Sequence, residues 1–337
     1  MDKKVMFAVA GAGKTTHIVN SLSADKRSLI LTYTIANEEN LRRKIIEKFD
    51  GRWPESITLM KYFSFLFRFC YRPFLSDNIR AKGIVYENNP NRFEKKTNME
   101  YYLSPGGYFY SNRLSLFVLE RAGVLDDVKE RISRYFDELI IDEIQDIAGQ
   151  DFTLLENLME IDINQLFVGD FYQHTYDTSL DGNVNKSLFT NRTAYEKRYT
   201  DKGFVCDTTT LMNSWRCSPS VCEYITDNLG IEIHSNRPIC EDTEIRLVSD
   251  PAEIELIFKD QDIVKLHYQK AAAFGIGHRN WGETKGEDHY KDVCVLLNKN
   301  TAKEYSKGNL KSLVPRTKNK LYVAISRARG NVYFINE

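Results

Sequence analysis

Short apolar runs and stretches of helical spacing alternate along the first 50 residues. Residues 5–9 form an apolar run that ends in a glycine-rich loop, and residues 15–23 follow with the spacing of a helix. Residues 27–31 give a second apolar run, and residues 38–49 place charges and apolar side chains at helical intervals. Strand, loop, helix, strand, helix is the order that builds a parallel sheet covered by helices, which predicts an α/β fold. Residues 51–135 break the pattern. They are aromatic-rich and irregular, with turn signals at Asn88-Asn89-Pro90 and Pro105-Gly106-Gly107. Residues 80–130 therefore read as an insertion into the first sheet domain. Residues 139–141 return to a buried strand followed by acids, and residues 165–168 give another strand ending in Gly169-Asp170. A polar stretch, 177–202, is expected to link the halves. Beyond about residue 205 the strand candidates are 245–248, 293–297, 321–325 and 332–335, which predicts a second α/β unit.

Composition narrows the picture. The chain has 337 residues, 42% apolar and 28% charged, which is globular and argues against disorder over most of its length. A net charge of −1 rules out a uniformly basic surface but not a local basic groove. No run approaches the roughly 18 apolar residues of a membrane span, and the richest, 62–71, is broken by Arg68, so no membrane association is expected. That aromatic run is assigned to core or interlobe packing rather than to base stacking. The N-terminal residues enter a functional loop at once, which predicts no cleaved leader. Cys70, Cys206, Cys217, Cys222, Cys240 and Cys294 are scattered and form no C-x-x-C pair. Reduced thiols in a cytoplasmic protein are the expectation, without a zinc site.

Two segments carry chemistry. Ala8-Val9-Ala10-Gly11-Ala12-Gly13-Lys14-Thr15 is a phosphate-loop pattern with Ala at its first position. Small residues at Ala10, Gly11, Ala12 and Gly13 let backbone N–H groups curl around phosphate oxygens, and the positive end of the following helix, from Thr15 and Thr16, faces the anion. Lys14 reaches the outer phosphates, and Thr15 offers a hydroxyl to Mg2+. The second segment is Leu139-Ile140-Ile141-Asp142-Glu143, an apolar strand ending in adjacent carboxylates. Asp142 suits the magnesium and Glu143 the attacking water. Strand alternation is expected to point the two side chains apart.

Asp142-Glu143-Ile144-Gln145-Asp146 also resembles the D-E-x-Q-D segment of UvrD/Rep-like superfamily 1 helicases. Further segments fall in that family's order. Thr32-Tyr33-Thr34-Ile35-Ala36-Asn37 is similar to the segment after the second strand, and residues 57–66 resemble the next, more loosely. Residues 168–176 match G-D-x-x-Q-x-x-Y, with Gln173 and Tyr176. Asn213-Ser214-Trp215-Arg216 resembles the N-Y-R segment, residues 282–287 the K-G segment, and residues 321–329 the final Y-V-A-x-S-R-A-R segment. The resemblance implies two RecA-like parallel-sheet lobes in tandem. The first would be 1–80 and 131–203, with a small insertion at 81–130, and the second 204–337, with its large insertion absent or vestigial. It implies ATP bound between the lobes, with Gln173 as γ-phosphate sensor and Arg216 and Arg327 as arginine fingers. Trp215 would stack on adenine, and Gly286 and Glu287 would lie on the nucleotide. Tyr33 and Tyr176 would stack on bases, and Thr34 and Asn37 would touch the backbone of single-stranded or tailed double-stranded DNA. Residues 299–329, with nine Lys or Arg and one acid, are a candidate phosphate track.

The pattern departs from the family in three places. Only seven residues precede Ala8, so the family's adenine-reading glutamine segment has no counterpart, and the choice among NTPs stays open. About 60 residues separate Ser218 from Gly282, too few for the large second-lobe insertion. The first-lobe insertion is small. What the resemblance implies is an ATP-dependent DNA helicase or translocase, running 3′ to 5′. The alternative is a regulatory ATPase partnered with a nuclease or another defence or repair protein, as in the Gabija-type anti-phage systems that the short form resembles.

Overall fold

Strand β2 (Ser28–Thr32) is buried at all five positions, as an apolar run flanked by strands on both sides must be. It belongs to a computed structural model that describes residues 1–91, 93–175, 184–238 and 243–337. Its sheet also contains β1 (Lys3–Phe7), β3 (Ile57–Lys61), β6 (Glu138–Asp142), β7 (Asn164–Gly169) and β8 (Val205–Asp207), in the order β3-β2-β6-β7-β1-β8. The register runs Leu31 beside Met60 and Ile141, and Asp142 beside Val168, all parallel. Parallel strands place their C-terminal ends on one edge, which is where β6 ends at Asp142.

Between β3 and β6 the chain forms a short parallel pair, β4 (Gly83–Val85) with β5 (Tyr108–Tyr110), and helices Ser111–Glu120 and Val124–Tyr135. The aromatic run packs here. A π-helical turn, Leu66–Tyr71, is buried at every position but Arg68. The Tyr71 ring meets Phe109 at 4.9 Å, and Phe117 meets Phe109 at 5.0 Å and Tyr102 at 5.1 Å. These rings are core, in agreement with the sequence reading.

A second sheet holds β11 (Ile245–Leu247), β12 (Val264–His267), β13 (His278–Asn280), β14 (Val293–Leu297) and β15 (Val332–Asn336), ordered β11-β15-β14-β12-β13 and parallel throughout. A minor parallel pair joins β9 (Asn213–Ser214) to β10 (His234–Ser235). The chain divides into two compact units. The first is Met1–Met6, Thr15–Gly169 and Asp177–Asp207; the second is Phe7–Lys14, Asp170–Tyr176 and Thr208–Glu337. By its contacts the phosphate loop thus groups with the second unit, while the strand before it and the helix after it group with the first.

Three sequence expectations are corrected. Residues 321–325, read as a strand, form the last turns of helix Pro315–Ile325. All five are fully buried, so no amphipathic period shows, and Pro315 at the first helical position is the start signal that outweighs the β-branched run. The polar stretch 177–202 is not only a linker: helix Arg192–Thr200 lies within it, capped by Asn191, whose Oδ1 accepts the Ala194 N–H at 3.0 Å. The first strand ends at Phe7, because Ala8 and Val9 already belong to the loop. Among the described residues, no helix is long and apolar enough to cross a membrane.

Candidate nucleotide site

In the second unit the phosphate loop is held by its backbone. The Val9 N–H donates to the Leu211 carbonyl at 2.9 Å, and the Gly11 carbonyl accepts from the Trp215 N–H at 2.9 Å. Gly11 and Gly13 adopt φ of +73° and +85°, a region that glycine enters freely. Gly11 is required twice over, since a Cβ there would stand 2.6 Å from Ser214 Oγ and 2.7 Å from Arg216 Cβ. The segment carrying Arg216 is thus pressed against the loop. Trp215 is 68% exposed, and its Cδ1 is 3.9 Å from where a Cβ on Gly13 would sit. Trp215 is therefore a surface residue beside the loop, not core. Lys14 opens helix Lys14–Ser21 and is half-buried.

Arg216 and Arg327 come together on Asp288. The Arg216 Nη2 pairs with the Asp288 carboxylate, and its Nη1 donates to the Ser326 carbonyl at 3.0 Å. Arg327, 1% exposed, stands 3.5 Å from the same carboxylate and donates to the carbonyls of Val323, Thr284 and Glu287 at 3.2–3.3 Å. Burial, and then the neighbouring Arg216 cation, lower the Arg327 pKa to about 10. Asp288 escaped the sequence reading. Its one signal is its place directly after Gly286-Glu287. Those two enter the cluster through the backbone: Gly286 turns the chain at φ +87°, and the Glu287 carbonyl accepts from Arg327. The Glu287 carboxylate instead takes the Tyr290 hydroxyl.

Gln173 ends a 3-10 turn, Phe171–Gln173, and is 3% exposed. Asp170 caps that turn, its Oδ1 accepting the Tyr172 N–H at 3.1 Å and its carbonyl accepting the Gln173 N–H at 2.9 Å.

In the first unit, Asp142 ends β6 and is 3% exposed. Glu143 does not continue the strand. It sits in the left-handed region at φ +58°, so a backbone turn, not strand alternation, parts the two carboxylates. A non-glycine residue held there is the kind of strain found at reacting sites. The Glu143 carboxylate accepts from Gln145 Nε2, a partner to which the sequence alone assigns no role. Gly169 makes room for this turn, since a Cβ on it would stand 2.6 Å from Ile144 Cγ1. Thr15 lies in the first turn of its helix. Thr16 Oγ1 accepts from Lys44 Nζ at 2.7 Å. The Thr15 hydroxyl and the Asp142 carboxylate are hard oxygen donors, the chemistry Mg2+ takes.

The nucleic-acid candidates have local roles. The half-buried Tyr33 ring stacks on Tyr62 at 6.1 Å and meets Phe63 edge-on at 5.5 Å. Thr34 is the N-cap of helix Ile35–Lys48, its Oγ1 accepting the Asn37 N–H at 3.1 Å. Tyr176 and Cys240 lie outside the described residues.

The sequence profile of the viral superfamily 1 RNA helicase core domain matches residues 120–336. No curated protein matches the sequence. Among solved structures, Arterivirus nonstructural protein 10 (helicase) in complex with DNA is 13% identical with a TM-score of 0.52, over 98% of this chain and 60% of that one. The crystal structure of Arterivirus nonstructural protein 10 (helicase) is 14% identical with a TM-score of 0.50, over 98% of this chain and 59% of that one. The chain spans about three fifths of the length of these solved structures. At these identities the likeness is one of fold: two RecA-like lobes, in accord with the two parallel sheets.

Proposed function

The chain belongs to the viral superfamily 1 RNA helicase core family, and on that footing we propose that it is an ATP-hydrolysing motor that moves along single-stranded nucleic acid. One observation carries the reading. The phosphate loop lies against Arg216, and Arg216 and Arg327 converge on Asp288, so the loop and two guanidinium cations form one cluster. Planar cations beside a phosphate loop stabilise charge on a transferring phosphoryl group. Lys14 and the loop N–H groups beyond Ala10, whose own N–H is already given to the Tyr322 hydroxyl, would bind the phosphates, and Trp215 the base. Glu143, held by the Gln145 amide, would orient the attacking water and take its proton. Mg2+ on Thr15 and Asp142 would supply neutralising charge at the phosphate oxygens.

DNA as the strand and 3′ to 5′ movement are what the UvrD/Rep-like resemblance implies, and RNA is the competing strand because the matched profile is that of an RNA helicase core. The deciding experiment is phosphate release from ATP by the purified chain, with no strand, with single-stranded DNA and with single-stranded RNA. Hydrolysis should rise severalfold with DNA and be abolished in Lys14→Ala and in Glu143→Gln, each with an unchanged circular-dichroism spectrum. Unchanged turnover in both variants would remove the assigned site, and stimulation by RNA alone would overturn the choice of DNA. The near-neutral net charge favours a second reading, an ATPase subunit of a nuclease-containing defence complex. Turnover that depends on Lys14 but ignores both strands would select it.

A further inference from the structure

Tyr322 sits in the final segment of the family resemblance, yet neither nucleotide binding nor the arginine cluster gives it a task. Its side chain is completely buried, as is Asp170. A buried hydroxyl without partners costs free energy that a phenylalanine ring would avoid. This one is fully engaged. It accepts the Ala10 N–H at 2.7 Å and donates its proton to Asp170 Oδ2 at 3.0 Å. One oxygen thus touches the phosphate loop with a lone pair and the cap of the Gln173 turn with its hydrogen.

We propose that Tyr322 is a positioning residue for hydrolysis, a tie that makes the phosphate loop and the Gln173 turn move as one body. The inference rests on the motor reading above and adds a link that reading does not contain. Asp170 cannot shift without dragging the hydroxyl, and the hydroxyl cannot shift without pulling on Ala10. A second tie runs from the same helix: Asn319, one turn before Tyr322, donates its Nδ2 to the His174 carbonyl at 3.0 Å. The helix therefore grips the turn on both sides of Gln173, at Asp170 and at His174. Five residues further on, the chain delivers Arg327 to the Asp288 cluster. Burial and the adjacent Asp170 carboxylate push the Tyr322 pKa well above its ordinary value, so the hydroxyl keeps the proton it donates. The Tyr172 and Tyr322 rings meet in a T-shaped arrangement at 6.2 Å.

The test is Tyr322→Phe in the full chain, which keeps the ring and deletes both hydrogen bonds. Steady-state ATP hydrolysis is measured with saturating strand, alongside the melting temperature. The expected result is a kcat about tenfold lower with KM for ATP changed less than about twofold, because positioning is lost and ground-state binding is not. Combined with Gln173→Ala, the two losses should fail to multiply, since both act through the same turn. A lower melting temperature with unchanged kcat would reduce Tyr322 to a structural residue, and multiplying losses would break the link to Gln173. Should Tyr322→Phe fail to fold, Asn319→Ala tests the same grip, with about a threefold loss in kcat expected and no loss overturning the proposal. Lys14→Ala separates the two levels. If the parent chain shows no hydrolysis that depends on Lys14, the motor reading itself fails. If it does and Tyr322→Phe matches the parent, only the positioning role fails.

Discussion

Arg327 shows how much one residue's surroundings decide about its chemistry. A guanidinium in water stays charged at any usable pH. Here it is buried beside a second cation, and its pKa falls to about 10. The cation survives because Asp288 and three carbonyls face it. If Arg327 must carry charge during hydrolysis, it sets an alkaline limit to activity near pH 10 and adds no pH dependence of its own well below that. Because the fold favours the neutral form, this group adds stability as pH rises from about 10 towards its unfolded value and none at neutral pH. Loss of activity on that limb would therefore not be unfolding driven by Arg327. Replacement by lysine sharpens the point. A lysine titrates lower from the start and would meet the same burial and the same Arg216. Arg327→Lys should move the alkaline limb of the kcat profile to lower pH by at least about one unit. Superimposable profiles would mean that the Arg327 charge is not used in turnover.

At the scale of elements, the loop–helix unit after β1 and the strand carrying Asp142 were legible because their chemistry is local: small residues before a lysine, and acids after an apolar run. Two kinds of element were not. Residues 321–325 are buried all round, so helix and strand look alike there, and only Pro315 distinguishes them. Strand β12 went unseen because Lys265 and His267 interrupt it. Both are buried and paired, the lysine with the Asp260 carbonyl and the imidazole with Glu337 at 3.1 Å and His278 at 2.8 Å, partners that sequence spacing does not reveal. The Asp288 junction was hidden for the same reason, since its partners lie 72 residues upstream and, at Arg327, 39 downstream. Helix Ile35–Lys48 poses a cleaner question, because Thr34 has both a cap geometry and a family expectation of strand contact. Thr34→Ala should cost about 1 kcal/mol in urea unfolding through the lost cap, and Thr34→Ser should restore most of it. If the hydroxyl serves only as a cap, strand affinity will be the same for all three chains. An affinity loss in Thr34→Ala larger than its stability loss would assign Thr34 to the strand as well.

On the scale of the whole molecule, the residues proposed for the chemistry fall in both units: the carboxylates of β6 and its turn in the first, the loop, Gln173 and both arginines in the second. A motor with that division must couple nucleotide to strand, and coupling is reciprocal: whatever factor the nucleotide changes strand affinity by, the strand must change nucleotide affinity by the same. The net charge of −1 makes this measurable, because diffuse attraction to a polyanion is weak and does not swamp the coupled part. Strand binding is measured by anisotropy at fixed salt, with and without a non-hydrolysable ATP analogue and Mg2+. Analogue binding is then measured with and without the strand. The two ratios should agree and exceed about fivefold, the lower end of typical coupling. Lys14→Ala should bring both to one, because the analogue then loses its main phosphate contact. Ratios of one in the unaltered chain, with hydrolysis intact, would leave an ATPase that does not act on a strand and would transfer the weight to a protein partner.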